Sequence, residues 1–113
     1  MENKKDIVYL YGFSTRKQMY IDNLLGIVSE QIENEISIAI VLIHDGVIGT
    51  SQSGTIPSLL DKLLNLSVSV FALLPDLLAR GIESNTVDPR IKCIDYDELV
   101  DLLAQIPKVA SWM

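Results

Sequence analysis

Hydrophobic residues along the chain follow two spacings that alternate from one segment to the next. Four short runs are apolar and rich in β-branched or aromatic residues, which favours strands; they cover 6–11, 36–43, 67–73 and 91–94. In the segments between and after these runs, apolar residues recur every third or fourth position, as on one face of a helix. The helical segments cover about 16–33, 56–64, 75–81 and 95–106.

This alternation of strands and helices predicts an α/β fold. Right-handed helical crossovers between parallel strands place helices on both faces of a sheet. The run 36–43 is apolar almost throughout, which is typical of a central strand buried on both faces. We therefore expect a single domain over 1–113, a small three-layer α/β/α fold of flavodoxin-like architecture with a mainly parallel sheet of four or five strands. The tail after Pro107 forms an edge strand or packs as coil.

Residues at the predicted helix ends carry capping chemistry. Ser14 or Thr15 can cap the first helix, and Pro57 fits the first turn of the second, where its missing N–H group has no cost. Gly81 is placed to end the third helix. The fourth helix begins with an Asp-x-x-Glu stretch at 95–98, which is related to the capping box.

The longest connection at the predicted carboxyl edge of the sheet is the loop 44–54, which begins at the only histidine in the sequence. Ligands of open α/β sheets bind at this edge, and the loop precedes a helix N-terminus, which favours anions. One hypothesis is therefore a stand-alone small-ligand or anion-binding module that uses this loop. The loop lacks the terminal Gly-Lys-Ser/Thr of a phosphate-binding P-loop and the glycine pattern of dinucleotide-binding folds.

His44 is a candidate acid, base or ligand, because imidazole titrates near neutral pH. The alternative is a histidine at a strand end that bonds to nearby backbone. Turn chemistry is expected for Asp45 and Gly46: the Asp side chain bonds its own backbone, and Gly adopts a positive φ angle. An enzyme that uses His44 in acid–base catalysis is a further hypothesis.

Cys93 is the only cysteine, so no internal disulfide and no multi-cysteine metal site is expected. A reactive thiol is exposed and has a lowered pKa. If the run 91–94 alternates as a strand does, Cys93 and Ile91 share a face towards the core, which predicts a buried, inert thiol. With one histidine and one cysteine in the sequence, no metal or cofactor is predicted.

Charge and hydropathy limit the expected partners. The formal net charge is −6, which argues against direct nucleic-acid binding, because that binding needs a cationic surface. The longest apolar run, 36–43, is far shorter than the roughly 20 residues that span a bilayer, so no membrane partner is expected. The start has no apolar run long enough for a signal peptide, which favours a cytoplasmic protein.

Five short motifs in the second half resemble, in order and spacing, those of the DsrH/TusB family, small members of the DsrE/DsrF/DsrH-like sulfur-relay proteins. In that family the first motif is an apolar strand followed by Asp-Gly-Val, and the second is a strand that ends in Ala-Leu. The third is an acidic residue followed by Ala-Arg-Gly. The fourth is Ile-Asp-Tyr before an apolar helix, and the fifth is a terminal Ser-Trp. The matching residues are Asp45, Gly46 and Val47; Ala72 and Leu73; Asp76, Ala79, Arg80 and Gly81; Ile94, Asp95 and Tyr96; and Ser111 and Trp112. The resemblance covers about 40–113, and the first 35 residues agree by pattern only.

The resemblance implies a DsrEFH-like fold and a subunit of a heterohexameric complex with DsrE/TusD-like and DsrF/TusC-like partners. Such a complex passes persulfide sulfur between cysteines, towards tRNA 2-thiouridine or in sulfur oxidation. The main sulfur-accepting cysteine belongs to the DsrE/TusD-like partner, so the resemblance implies a mainly architectural, non-catalytic role for the DsrH-like subunit. A solitary chain of this kind forms homo-oligomers instead.

Some family members carry a cysteine in the first helix, whereas this sequence has Leu24 and Leu25 near that place. Cys93, just before Ile-Asp-Tyr, is then the one candidate sulfur carrier in the sequence. Candidates for the loop site or for a subunit interface are His44, Asp45, Gly46, Arg80 and Trp112. A second group of aromatic residues packs either in such an interface or in the core: Tyr9, Tyr11, Phe13 and Tyr20.

Overall fold

The computed structural model describes residues 4–113, so the first three residues of the predicted domain lie outside the described part. The strands are β1 (Ile7–Tyr11), β2 (Ile38–Leu42), β3 (Val68–Leu73), β4 (Ile91–Ile94) and β5 (Lys108–Trp112). The helices are α1 (Gln18–Glu33), α2 (Ser58–Leu64), α3 (Leu74–Ala79) and α4 (Tyr96–Gln105), with 3₁₀ helices at His44–Val47 and Ser84–Thr86. These elements confirm the predicted α/β fold, and their ends differ from the predicted ones by at most two residues.

The five strands form one sheet in the order β4-β3-β2-β1-β5, and all neighbouring strands are parallel. All five residues of β2 are buried, which confirms its predicted central place. The tail of the chain pairs with β1 as the edge strand β5, so of the two alternatives for this segment the edge strand is correct.

The strand order decides which face of the sheet each helix covers. From β1 to β4 the chain steps in one direction, and right-handed crossovers then place α1, α2 and α3 on the same face. The return from β4 to β5 runs in the opposite direction, so α4 crosses the other face. Two separate apolar clusters follow from this, the larger one under α1, α2 and α3, and the smaller one under α4.

Two helix ends agree with the sequence-based prediction. The side chain of Asp95 accepts a hydrogen bond from the Glu98 N–H at 2.8 Å, and Glu98 accepts one from the Asp95 N–H at 3.2 Å, which completes the capping box of α4. Gly81 has a φ angle of +68° after the end of α3, and the N–H of Ile82 donates back to the carbonyl of Leu77 at 2.9 Å.

The predicted cap of α1 is wrong. The helix begins after Lys17 without a side-chain cap. Ser14 instead accepts a hydrogen bond from the Arg16 N–H at 3.2 Å, two residues on in the preceding turn. Thr15 is buried, and its hydroxyl donates to the carbonyl oxygen of Ile48, so tertiary contact takes the capping group away from the helix. Pro57 lies at the cap of α2, just before its first turn.

Candidate functional site

The turn after β2 is the centre of the candidate site. His44 has a φ angle of +49°, in the left-handed region that residues other than glycine rarely adopt, and it begins a 3₁₀ helix. Its backbone N–H donates to Oδ2 of Asp76 at 2.7 Å. Asp76 lies in the first turn of α3, so the helix that follows β3 holds the turn that follows β2.

Arg80, just after the last residue of α3, ties the same turn through a second set of contacts. Its Nε and Nη2 atoms donate to Oδ1 of Asp45 at 3.2 and 3.0 Å. Its Nη1 atom donates to the carbonyl oxygen of Asp76 at 3.3 Å and lies 4.0 Å from Oδ1 of the same residue. The Asp45 side chain is 61% exposed, so this ion pair contributes about 1 kcal/mol or less to stability.

Gly46 lets the turn lie directly against the end of β1. A Cβ atom at this position would overlap the carbonyl oxygen of Tyr11, so a larger residue does not fit. The expected turn chemistry of the Asp-Gly pair is therefore wrong in both parts. Asp45 bonds Arg80 rather than its own backbone, and the positive φ angle belongs to His44, because packing against a neighbouring strand dictates the turn.

The imidazole of His44 lies on the surface. The hydrogen bond at this residue is made by its backbone N–H with the Asp76 carboxylate, and not by the ring with nearby backbone as the structural alternative expected. Within residues 4–113, no group of three or more His, Cys, Asp or Glu side chains is placed to hold a metal ion. Acid–base catalysis by His44 stays a prediction.

The rest of the 44–54 loop is bound to a distant segment of the chain. The Gln52 N–H donates to the Thr86 carbonyl at 2.7 Å, and the Asp88 N–H donates to the Thr50 carbonyl at 2.9 Å. Ser51 and Val87 form an antiparallel bridge between the two segments. Several backbone donors that an anion would need are already paired. The loop itself carries the Asp45 carboxylate, and the Asp76 carboxylate contacts it at His44. This geometry gives the anion-binding hypothesis no support.

Cys93 lies on β4, opposite Ala72 of β3. Its side chain packs, together with Ile91, against the core under α1 to α3, so the predicted shared face is confirmed. The thiol is half-buried, and this burial raises its pKa. A raised pKa lowers the fraction of thiolate at neutral pH, and the thiolate is the form that attacks sulfur donors.

Trp112 lies on β5 within an aromatic cluster near the carboxyl end of β1. Its ring centroid is 6.3 Å from that of Tyr11 and 6.5 Å from that of Tyr9. Phe13 stacks on Tyr20 with 4.1 Å between ring centroids. Tyr9 and Tyr11 are core residues, whereas Tyr20 is exposed at the surface. The Tyr11 hydroxyl is buried without a partner among the described residues, and burial raises its pKa to about 12.

The structure brings together some of the predicted site residues and separates others. His44, Asp45, Asp76 and Arg80 are joined by hydrogen bonds, and Gly46 lies in the same turn. We call these five residues the β2–β3 turn cluster. Cys93 and Trp112 lie on opposite edge strands of the sheet. Four strand spacings separate these edges, which amounts to about 19 Å.

A second ion-pair network has no counterpart in the sequence analysis. Asp88 is 2% exposed, and its carboxylate accepts hydrogen bonds from Nε and Nη2 of Arg90 at 3.0 and 2.8 Å. The same guanidinium donates to Asp61 at 2.9 Å and to Asn65 at 2.8 Å, both of which belong to or follow α2. The hydrogen bond from Arg90 lowers the pKa of Asp88. The only sequence signal was a proline between two opposite charges, at 88–90.

A family model described as "DsrH like protein" matches residues 15–109. The chain belongs to the DsrH-like family. The predicted DsrH/TusB membership is thus confirmed, and with it the sulfur-relay family to which the motifs of the second half pointed.

Individual relatives of this DsrH-like chain agree with that assignment. It is 35% identical to Protein TusB of Pectobacterium carotovorum over 74 residues, which are 66% of this chain and 74% of that protein. It is 43% identical to Protein TusB of Buchnera aphidicola over 53 residues, 47% of this chain and 55% of that protein. The crystal structure of the YchN protein from E. coli superposes with a TM-score of 0.78 at 18% identity and covers 96% of this chain and 99% of that one, which supports the fold.

Residues of three of the five motifs lie close together in and around the β2–β3 turn cluster. Asp-Gly-Val forms the 3₁₀ helix after β2, and Ala-Leu ends β3. The acidic residue and the Ala-Arg-Gly stretch supply Asp76 and Arg80, which hold that 3₁₀ helix. The residues of these motifs therefore maintain the shape of the sheet where β2 and β3 end. Within residues 4–113, no helix has the length and apolar character needed to cross a membrane.

Proposed function

We propose that this DsrH-like chain is a mainly architectural subunit of a cytoplasmic sulfur-relay complex. In this role it assembles with DsrE/TusD-like and DsrF/TusC-like subunits and supports persulfide transfer between their cysteines, as in tRNA 2-thiouridine synthesis or sulfur oxidation. It needs no thiol, metal or cofactor of its own and makes no direct contact with nucleic acid.

The observation that carries this proposal is how the β2–β3 turn cluster uses its polar groups. The Asp76 carboxylate accepts from the His44 backbone, and the Arg80 guanidinium is shared between Asp45 and the Asp76 carbonyl. Groups engaged in this way hold the turn after β2 in place. The cluster therefore serves the shape of a surface, which is what an architectural subunit requires.

Cys93 supports the same interpretation. Its thiol packs against the core and has a pKa raised by burial, whereas a sulfur-accepting cysteine needs exposure and a lowered pKa. The neighbouring residues do not compensate, because Ile91 and Ala72 are apolar. This environment of Cys93 supports a sulfur-relay complex whose accepting cysteine lies on another subunit.

Co-expression with the DsrE-like and DsrF-like proteins of the same organism tests this function. We expect the three chains to purify together in fixed stoichiometry and to pass sulfur from a persulfide donor. Omission of the DsrH-like chain should reduce transfer because the complex loses stability, and added DsrH-like chain should restore it. A variant with Arg80→Ala, which loosens the turn cluster, should restore transfer less well.

Two results would contradict the proposal. One is a DsrH-like chain that binds neither partner at micromolar concentration, as judged by size-exclusion chromatography with light scattering. The other is a complex that forms and transfers sulfur equally well without it. His44→Ala serves as the matched test of the acid–base hypothesis, and we expect this variant to support wild-type transfer.

A further inference from the structure

One face of β3 is left uncovered near the start of the strand. Interior strands of a parallel sheet are ordinarily buried on both faces, as all of β2 is. The strand β3 lies between β2 and β4, yet Ser69 and Phe71 are only half-buried. Phe71 packs against the smaller core, and Ser69, two residues before it, points to the same side. The uncovered part of β3 therefore lies on the face of the sheet that carries α4.

Small side chains create a hollow at this place. Ala39 of β2 lies beside Ser69 in the register of the sheet, so two small residues are neighbours on the α4 face. The end of α4 forms a wall of the hollow through Leu102 and Gln105. The hollow has a volume of about 830 Å³, and small-molecule sites have volumes of about 300–1,000 Å³. It is therefore large enough for a small organic molecule.

Two lysines give one end of the hollow a positive charge. Lys4 and Lys5, which precede β1, both line it. No salt bridge within residues 4–113 involves either lysine. The carboxylate of the neighbouring Asp6 accepts a hydrogen bond from the Ser37 N–H at 2.8 Å. The charge at this end of the hollow therefore favours an anionic group.

Negative charges lie further along α4. A smaller groove continues from the hollow and shares Phe71 with it. Its walls include Glu98 and Asp101 of α4 and Lys92 of β4. At a rise of about 1.5 Å per residue, the two carboxylates lie about 6 Å or more before Gln105, the last residue of α4. A bound anion is therefore oriented, because its charge is attracted to the lysines and repelled by the carboxylates.

We infer that this hollow binds a small aromatic anion. We call the site the β3–α4 hollow and define it by Lys4, Lys5, Ser69, Phe71, Leu102 and Gln105. The carboxylate, sulfonate or phosphate of the ligand pairs with the two lysines. Its ring lies against Phe71 and Leu102, where apolar burial and contact between rings favour it. The site lies at the amino edge of the sheet, away from the β2–β3 turn cluster, and the inference does not depend on the proposed function.

An NMR titration with naphthoate, an aromatic carboxylate, tests the site. The backbone amide signals of Phe71, Leu102 and Gln105 should shift in a saturable way, with a Kd of roughly 1 mM or lower for a ligand of this size. The neutral naphthamide should bind about fivefold more weakly, because it lacks the charge that the lysines attract. Acetate, which has no ring, should cause no saturable shift at the same concentrations.

Variants locate the two parts of the site. The double variant Lys4→Gln/Lys5→Gln removes both charges and should weaken naphthoate binding by roughly fivefold to tenfold. Lys108→Gln is the matched control at the same edge of the sheet. Lys108 pairs with Ile7, which packs against the core on the other face, so this variant should bind within about twofold of wild type. Phe71→Leu keeps an apolar side chain without the ring and should weaken binding by roughly threefold.

The outcomes decide each part of the proposal. Circular dichroism melting shows whether each variant is folded, and the double lysine variant tests the site should Phe71→Leu unfold. Saturable naphthoate binding that the double variant weakens and Lys108→Gln does not supports the β3–α4 hollow. Absence of saturable shifts overturns it, as does equal binding of naphthoate and naphthamide or equal binding by wild type and the double variant. A naphthalene dicarboxylate with acid groups at opposite ends should bind more weakly than naphthoate, and tighter binding would overturn the orientation.

Discussion

The two helical layers of this protein cover the same sheet to very different extents. Under α1 to α3, side chains such as Leu24, Val28 and Leu63 are completely buried. On the other face, α4 contributes no buried residue, and Val100 and Val109 are more than half or half exposed. Complete burial of a Leu or Val side chain is worth about 1.5–3 kcal/mol. We therefore expect the larger core, under α1 to α3, to contribute more to stability than the smaller core under α4.

The difference concerns how deeply the helices on the two faces of the sheet are buried. The α1–α3 layer completes a core, and its loops are closed by the β2–β3 turn cluster and by the Asp88–Arg90 network. On the other face, the sheet residues Val8 and Val41 are fully buried, but α4 itself has no buried residue.

Replacing one leucine in each layer tests most directly whether the two layers are packed to different extents. Leu24→Ala should lower the free energy of unfolding by about 2–5 kcal/mol, because its side chain is fully buried. Leu99→Ala in α4 should cost about 1–2 kcal/mol, since its side chain already contacts solvent. Urea unfolding followed by circular dichroism gives both values. Equal losses would mean that the two layers pack equally well.

Glycine substitutions compare the tightly packed turn after β2 with the exposed surface of α1. Gly46→Ala should destabilise by about 1–3 kcal/mol, because its Cβ overlaps the carbonyl oxygen of Tyr11. Gly26→Ala in the exposed part of α1 meets nothing within 4 Å and should stabilise by about 0.5–1 kcal/mol. Thermal melting checks the pair. A harmless Gly46→Ala would show that the turn after β2 does not press against β1.

Asp76→Asn tests the β2–β3 turn cluster by itself. We expect a loss of about 1–2 kcal/mol in unfolding free energy, because the His44 N–H loses a charged acceptor. The exposed Asp45→Asn change should cost less than about 1 kcal/mol. Amide hydrogen exchange at His44 should become faster in Asp76→Asn and change little in Asp45→Asn. Unchanged exchange in both variants would show that the β2–β3 turn cluster does not hold the His44 N–H.

The Asp88–Arg90 network predicts a pH dependence on the well-packed side of the sheet. The pKa of Asp88 is lowered in the folded state, mainly by the Arg90 hydrogen bond, so its contribution is fully present above the unfolded pKa of about 3.9. The contribution is lost as the pH falls through the lower, folded pKa. Unfolding free energy measured from pH 7 down to pH 3 should fall less steeply in Asp88→Asn. Parallel curves for the two proteins would contradict the lowered pKa.

Much of the fold could be predicted because local and long-range signals agree. The apolar run 36–43 contains β2 at the centre of the sheet, and Gly81 and the Asp95 capping box end and begin helices as expected. The uneven distribution of helices was not predicted, because it depends on strand order. Strand order follows from which strands pair across the sheet, and this is a long-range property that hydrophobic spacing does not contain.

The candidate site could be predicted only as a set of residues. The motifs identified Asp45, Gly46 and Arg80, but their roles come from contacts across the fold. Local turn chemistry failed for Asp45 because Arg80, 35 positions away, offers a stronger, charged partner. The predicted cap by Thr15 is wrong for the same reason, because its hydroxyl donates to a carbonyl oxygen of the loop after β2. At Thr15 and Asp45, a distant partner takes the place of the local one that the sequence suggested.

The measurement that tests the proposed function most directly follows sulfur on this chain within the assembled complex. The complex is incubated with a persulfide donor, its chains are separated by intact-mass spectrometry, and sulfur transfer is compared between wild type and Cys93→Ser. The account predicts no stable gain of about 32 Da on this chain and equal transfer by the two proteins. A 32 Da adduct on Cys93, lost together with transfer in Cys93→Ser, would contradict it.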